Sequence, residues 1–288
     1  MEPLIVIVGE TASGKSALAM ELARRFNGEL ICADSWTVRR EANIGTAKPS
    51  KEDRARVPHH LLDIVGPDHD FTAAVFKGLA NRTISEISSR HRLPIMVGGT
   101  GLYIDSVIFN YGFLPEGDRT KREAWNNASV DEVLDEVQAR GLSTEGIDIC
   151  NKRRLIRLIE TGGQRPAKSD LRSNTLILGL KIDREILNHR IERRVDAMLT
   201  GGLENEVLDL VDRYGWDCEA LKGIGYREWQ AYYSGDKSIA ETRASIIKST
   251  QDLAKRQRTW FKRNSFIQWV DDPEKAVDIV TTFLNKKQ

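Results

Sequence analysis

Gly9-Glu10-Thr11-Ala12-Ser13-Gly14-Lys15-Ser16 follows directly on Leu4-Ile5-Val6-Ile7-Val8. The eight residues satisfy G-x-x-x-x-G-K-[ST], the phosphate-binding loop pattern, at every fixed position. An apolar, β-branched run before the loop reads as a buried parallel strand. Ala17-Leu18-Ala19-Met20-Glu21-Leu22-Ala23-Arg24-Arg25 after it is rich in helix formers. Glycines permit the tight turn that aims backbone N–H groups at phosphate oxygens. The helix N-terminus adds partial positive charge, Lys15 adds a full one, and the Ser16 hydroxyl is a ligand type for Mg²⁺. The loop alone leaves open whether the ligand is a nucleotide or another phosphorylated compound.

The chain has 288 residues and a formal net charge of +1. That length suits one large domain or a core with a smaller insertion. The near-zero charge excludes a general polycation, so any nucleic-acid surface must come from local charge segregation. Cys32, Cys150 and Cys218 lie far apart with no C-x-x-C pair. They predict neither a zinc site nor a disulfide framework, and suit a reducing compartment. Residues 4–8 are too short for a signal peptide, and no run approaches the roughly 20 apolar residues of a membrane span. The expected location is the cytoplasm, with no membrane contact.

Downstream, Glu29-Leu30-Ile31-Cys32-Ala33 reads as a second strand ending in Asp34-Ser35. Strand carboxyl ends form the ligand crevice of open α/β sheets, which places Asp34 near the loop. An Asp capping the next turn is the alternative. His59 and His60 have no further His or Cys cluster to join, so packing or a hydrogen bond is expected for each. Residues 71–90 carry a helical period. Leu93 to Val97 forms a third strand that runs into Gly98-Gly99-Thr100-Gly101, with no acid where an ATP-hydrolysing enzyme would need one; glycines there suit close approach of backbone to a ligand. Residues 111–150 lose the strand pattern and predict a small helical insertion, and Asn151 is placed to cap a helix at 152–160. Leu176 to Leu180 is a further strand, and Asp183 opens a helix that contains Arg190, Arg193 and Arg194. Another helix is expected to start at Gly223 to Glu228. The last long helix, residues 242–263, carries Lys255, Arg256, Arg258 and Lys262 with Trp260 among them, a composition suited to phosphate-backbone or base contact.

Taken in order, Gly9 to Ser16, Asp34-Ser35, Ile44-Gly45-Thr46-Ala47-Lys48-Pro49, His59-His60-Leu61, Gly98 to Tyr103, Gly225-Tyr226-Arg227-Glu228 and Lys255-Arg256-Gln257-Arg258-Thr259-Trp260 resemble the tRNA dimethylallyltransferases over nearly the whole chain. The resemblance implies a P-loop NTPase-like α/β core (1–110 and 151–288) with a helical insertion at 111–150 that contacts tRNA. It implies transfer of a dimethylallyl group from dimethylallyl diphosphate to N6 of the adenosine 3′ of the anticodon, with Mg²⁺ at Ser16, by a monomer. Gly9, Thr11, Ala12, Ser13, Gly14, Lys15, Ser16 and Arg194 would hold the diphosphate. Asp34 would be the general base and Thr100 would line the reaction channel, with Lys15 and Arg194 completing the catalytic set. Asp34, Ser35, Trp36 and Thr37, together with Thr100, would meet the target base. Arg122, Arg153, Arg154, Arg157, Gly225, Tyr226, Arg227, Lys255, Arg256, Gln257, Arg258, Thr259, Trp260 and Lys262 would contact the tRNA stem and loop.

The sequence departs from the family in places. Glu10 replaces a usual proline, Trp36, Thr37 and Arg39 replace the Met, Gln and Tyr of many members, and Asn43 replaces an Asp. The eukaryotic C-terminal zinc finger has no counterpart, which implies the bacterial type. The rival readings are a prenyltransferase acting on free AMP, ADP or ATP, a small-molecule kinase, and a nucleic-acid-binding module with a vestigial loop. The basic C-terminal helix speaks against the first, the missing acid after residues 95–97 against the second, and intact Lys15, Ser16 and Asp34 against the third.

Overall fold

The computed structural model describes residues 1–115 and 117–286. The opening apolar run forms β1 (Leu4–Val8), buried at every position. The phosphate loop leads into α1 (Lys15–Arg25), whose Leu18, Ala19, Leu22 and Ala23 face the core at helical spacing. β2 (Gly28–Cys32) is also fully buried. Then come α2 (Lys51–Arg56), a two-residue β3 (His59–His60), α3 (Ala73–Ser89), β4 (Leu93–Gly98) and α4 (Gly101–Ile108). After the insertion the core resumes with β5 (Thr175–Leu180), α8 (Arg184–Thr200), α9 (Leu203–Tyr214), a short α10 (Gln230–Tyr233), α11 (Ile239–Phe261), β6 (Ile267–Val270) and α12 (Pro273–Asn285).

The six strands form one sheet in the order β3-β2-β4-β1-β5-β6. Every pairing is parallel. β1 therefore lies between β4 and β5, and the loops after β1, β2 and β4 open at the same sheet end. This is the α/β class expected, with the carboxyl ends of the strands forming the crevice. One apolar cluster packs α1 and α12 on the sheet around Ile5, Ile7, Leu22, Ile95 and Val280. A second, built on Val195, Leu203, Val207, Leu210, Trp229 and Ile246, unites the later helices. Among the described residues no helix is long and apolar enough to cross a membrane.

The local signals mostly hold. The Asp183 carboxylate caps α8, accepting from Glu185 and Ile186 N–H. Ser238 and Glu241 form a capping box that starts α11 earlier than residue 242. The helix expected from Gly223 is instead two 3₁₀ turns, Glu219–Lys222 and Arg227–Trp229, followed by α10. Gly225 at φ 93° breaks the helical path there and lets Tyr226 turn inward. β6 carries no sequence signal because it is four residues long, with only its two ends buried.

The insertion is wider than 111–150. It is a compact unit from Phe109 to Asp170. It holds α5 (Arg119–Asn127), α6 (Val130–Ala139) and α7 (Lys152–Glu160). Leu155, Ile156, Leu158 and Ile159 of α7 pack against Val133 and Val137 of α6 in a core of their own, which is why α7 belongs here. Asn151 caps it as expected, accepting from Arg154 N–H.

Where β4 ends, the main chain passes very close to the end of β2. A Cβ at Gly98 would lie 2.0 Å from the Ala33 carbonyl oxygen. Backbone cannot yield as a flexible side chain does. Gly98→Ala is therefore expected to destabilise the fold by about 3 kcal/mol or more, read by denaturant unfolding.

Candidate active site

Gly14 caps α1 in the left-handed region at φ 99°, where a side chain would strain the turn. Ala12 takes φ 61° without being glycine, a local strain often found at ligand clamps. Ser13 N–H and Lys15 Nζ both donate to the Glu10 carbonyl, at 3.2 and 3.1 Å. Beneath the loop is a cavity of about 580 Å³ lined by, among others, Thr11, Lys15, Ser16, Asp34, Thr37, Thr46, Arg194 and Gln257. Burial, and then the nearby Arg194 charge, lowers the Lys15 pKa to about 8, with Asp34 and Glu10 opposing the fall. Arg194, from α8, donates to Thr11 Oγ1 at 3.3 Å and to the Thr46 carbonyl at 3.4 Å. Burial pulls its pKa below the ordinary value while the Asp34 carboxylate works against that pull. Two clustered cations with few internal counter-charges suit an anion with more than one negative charge.

Arg190, one helical turn before Arg194, donates to the Ser13 carbonyl at 3.2 Å. It carries no motif of its own, and only its i, i+4 relation to Arg194 could have marked it.

Both readings of Asp34 hold together. Its Oδ1 accepts from Trp36 N–H at 2.8 Å and Thr37 N–H at 3.3 Å, so it caps a turn. The same residue lines the cavity. Thr37 is buried there, and its hydroxyl has no protein partner. Thr100 does not line the cavity: its Oγ1 accepts from Ser35 N–H at 3.1 Å and holds the Asp34 turn in place. Thr100 thereby positions the Asp34-Ser35 turn. Trp36 lies against Gly223, where a Cβ would come within 3.1 Å of the ring.

Several residues expected on the tRNA surface are turned inward. Tyr226 is 1 % exposed, and its hydroxyl donates to Glu206 Oε1 at 2.6 Å. Gly225 N–H donates to Glu228 at 2.8 Å. Gln257 is buried, accepting from Thr11 N–H at 2.7 Å and donating to the Gly99 carbonyl at 3.1 Å. Arg258 pairs with the Glu10 carboxylate. Trp260 donates from Nε1 to Asp105 at 2.9 Å, and its ring occupies the space a Cβ on Gly101 would need. These five positions build the site and leave the outward face of α11 to Lys255, Arg256, Thr259 and Lys262, which are exposed. Arg227 is 53 % exposed and pairs with Glu228 at its rim.

In the small unit, Arg153 and Arg154 are exposed. Arg122 and Arg157 instead grip the Glu160 carboxylate at 2.6 and 3.1 Å. Burial alone would raise the Glu160 pKa, but those two guanidinium groups hold it below the ordinary value. Glu160 thus offsets one of their two charges inside the unit.

Glu206 receives N–H groups from Asn43 at 2.9 Å, Ile44 at 2.8 Å and Gly45 at 3.2 Å as well as the Tyr226 hydroxyl. It anchors the loop whose Thr46 carbonyl meets Arg194. Its place beside the buried Leu203, Val207 and Leu210 face of α9 was the available signal. Lys48 of that loop is buried and donates to Asp63 at 2.6 Å. His59 Nδ1 meets the Val57 carbonyl at 2.7 Å and His60 Nε2 meets Glu29 at 2.7 Å, the hydrogen-bonding roles expected of them.

Among the described residues no group of three or more His, Cys, Asp or Glu is placed to hold a metal ion. Ser16 is exposed at the first turn of α1 and lines the cavity. That donor set fits a Mg²⁺ ion carried mainly by phosphate oxygens and water, and does not fit an ion held by protein alone.

The IPP transferase family profile matches residues 37–264. The chain belongs to the IPP transferase family. It is 42 % identical over 285 residues to the tRNA dimethylallyltransferase of Pediococcus pentosaceus, covering 94 % of this chain and 91 % of that one. Identity to the Bacillus subtilis tRNA dimethylallyltransferase is 37 %, with the same coverage. Among solved structures, the full-length tRNA isopentenylpyrophosphate transferase of Bacillus halodurans superposes with a TM-score of 0.77 at 36 % identity, covering 100 % of this chain and 97 % of that one. A eukaryotic dimethylallyltransferase acting on tRNA shares the fold, with a TM-score of 0.86 at 24 % identity over 100 % of this chain and 81 % of that one.

The lowered Lys15 pKa has a measurable sign. Below pH 8 the group is charged and attracts an anion; above it the group is neutral and the attraction goes. Affinity for a diphosphate ligand is expected to fall from pH 7 to pH 9 more steeply in the wild type than in Lys15→Met, as measured by calorimetry.

Proposed function

We propose that this chain transfers a dimethylallyl group from dimethylallyl diphosphate to N6 of the adenosine 3′ of the anticodon in tRNA and releases diphosphate. The observation that carries the reading is one cavity that brings Lys15 and Arg194 together with the Asp34 carboxylate. The loop N–H groups, Lys15 and Arg194 hold the diphosphate and take up charge as the allylic C–O bond breaks. Mg²⁺ at Ser16, when bound, would neutralise further charge on the phosphate oxygens. The adenine N6 lone pair is delocalised into the ring, so N6 must lose a proton as its bond to carbon forms. Asp34 Oδ1 is engaged by two backbone N–H groups, which leaves Oδ2 to accept that proton. A carboxylate is a weak base, so it acts late, as positive charge grows on N6.

The base must leave its stack to enter the cavity, where Thr37 offers an uncommitted hydroxyl. Lys255, Arg256, Thr259 and Lys262 of α11, with Arg227, and Arg153 and Arg154 of the small unit, form the proposed tRNA contacts. The chain is proposed to act as a monomer.

Labelled dimethylallyl diphosphate offered with bulk tRNA, AMP or ATP tests the assignment. Label is expected in tRNA; label in AMP or ATP alone would sink it. Asp34→Asn is expected to lower the single-turnover rate by about 10²–10⁴ while tRNA affinity stays nearly the same. An unchanged rate removes Asp34 from the base role. Lys255→Ala with Lys262→Ala is expected to reduce the slope of log affinity against log salt by about 1–2. A slope equal to that of the wild type means that α11 does not meet tRNA phosphates.

A further inference from the structure

Glu10 is an acid inside a loop shaped to hold an anion. Its carboxylate is 8 % exposed. It does not line the cavity; it points to α11, where Arg258 Nη2 donates to Oε2 at 3.0 Å and Arg258 Nε donates to Oε1. The hydrogen bond to Glu10 raises the Arg258 pKa above its ordinary value. The next residue on the same helix turn, Gln257, takes Thr11 N–H and gives its own N–H to the Gly99 carbonyl. Glu10 and Thr11 are thus held by two neighbouring side chains of one helix. The Glu10 backbone carbonyl in turn receives Lys15 Nζ and Ser13 N–H.

An unpaired carboxylate at this place would face a multiply charged diphosphate across a low-dielectric loop and repel it. Removing one partner of a buried pair costs more than removing both.

We propose that the Glu10–Arg258 ion pair, with Gln257 beside it, is a latch that positions the phosphate loop for diphosphate and ties that site to the seating of α11. The last turns of the same helix and its C-cap carry exposed Lys255, Arg256 and Lys262. Diphosphate in the loop therefore favours the seated helix, and by linkage tRNA on the helix favours the loop geometry that holds diphosphate. Arg258 and Glu10 are positioning residues; neither touches the reacting atoms. The coupling to tRNA rests on the proposed function, whereas the latch itself does not.

The test uses Mg²⁺ and inorganic pyrophosphate with the full chain, in calorimetry. Arg258→Ala, which strands the Glu10 charge, is expected to weaken pyrophosphate binding about tenfold. Adding Glu10→Gln to it is expected to restore most of the loss, because the stranded charge is gone. A helix that is merely loosened by Arg258→Ala would not be rescued in this way. Arg258→Lys keeps a cation and is expected to retain most of the affinity, which tests the pair even where the alanine variant unfolds. Equal affinity in Arg258→Ala and the wild type, a double variant no better than the single one, or a lysine variant as weak as alanine would overturn the latch. Wild-type protein that binds pyrophosphate but fails to prenylate tRNA would remove the function and leave the latch standing.

Discussion

The site depends on a contact too close for any side chain but hydrogen. The Gln257 amide reaches Thr11 N–H at 2.7 Å and the Gly99 carbonyl at 3.1 Å, so one side chain joins the loops after β1 and β4. A Cβ at Gly99 would stand 2.2 Å from the Gln257 amide nitrogen, and one at Gly101 would stand 2.3 Å from the Trp260 ring. The glycines after β4 therefore exist for α11. They admit the helix that closes the loop, where a reading of the strand alone would assign them to a ligand.

This changes the meaning of the basic segment at the far end of the chain. Its charges and aromatics divide by face. Gln257, Arg258 and Trp260 turn inward and order the loops, while Lys255, Arg256, Thr259 and Lys262 turn to solvent. The same division appears in the small unit, where Glu160 pairs with Arg122 and Arg157 and offsets one of their two charges, while Arg153 and Arg154 stay exposed. A local run of Lys and Arg thus overstates the charge offered to a polyanion, because part of it neutralises buried acids.

Electrostatics inside the cavity follow from the same enclosure. Desolvation lowers Lys15 to about 8 and pulls Arg194 down, and Asp34 offsets part of both effects. Cys32, at the edge of the same space, is pushed up to about 12 by burial and then by Asp34, so it remains a neutral thiol. The cavity therefore gathers Lys15 and Arg194 at the phosphate loop with the Asp34 carboxylate near enough to act on both. That combination suits a reaction in which an anion departs and a proton is taken up in one space.

The β1 strand, the phosphate loop, α1 and the parallel α/β class were legible in the sequence, because each rests on neighbouring residues: β-branched runs, loop glycines and helix formers. That Lys15, Ser16 and Asp34 share one cavity was legible too, through the loop motif and the strand ends, while Arg194 was marked by the family resemblance. The turns of β3 and β6 were not, since two and four residues leave no periodicity. The roles of Glu206, Arg190 and the Glu10–Arg258 pair, and the inward turn of Tyr226, belong to tertiary structure alone. Glu10 and Arg258 stand 248 positions apart, and no local pattern records which distant charge a buried carboxylate will meet. Sequence determines what chemistry the chain carries; packing decides which of its charges remain for a partner.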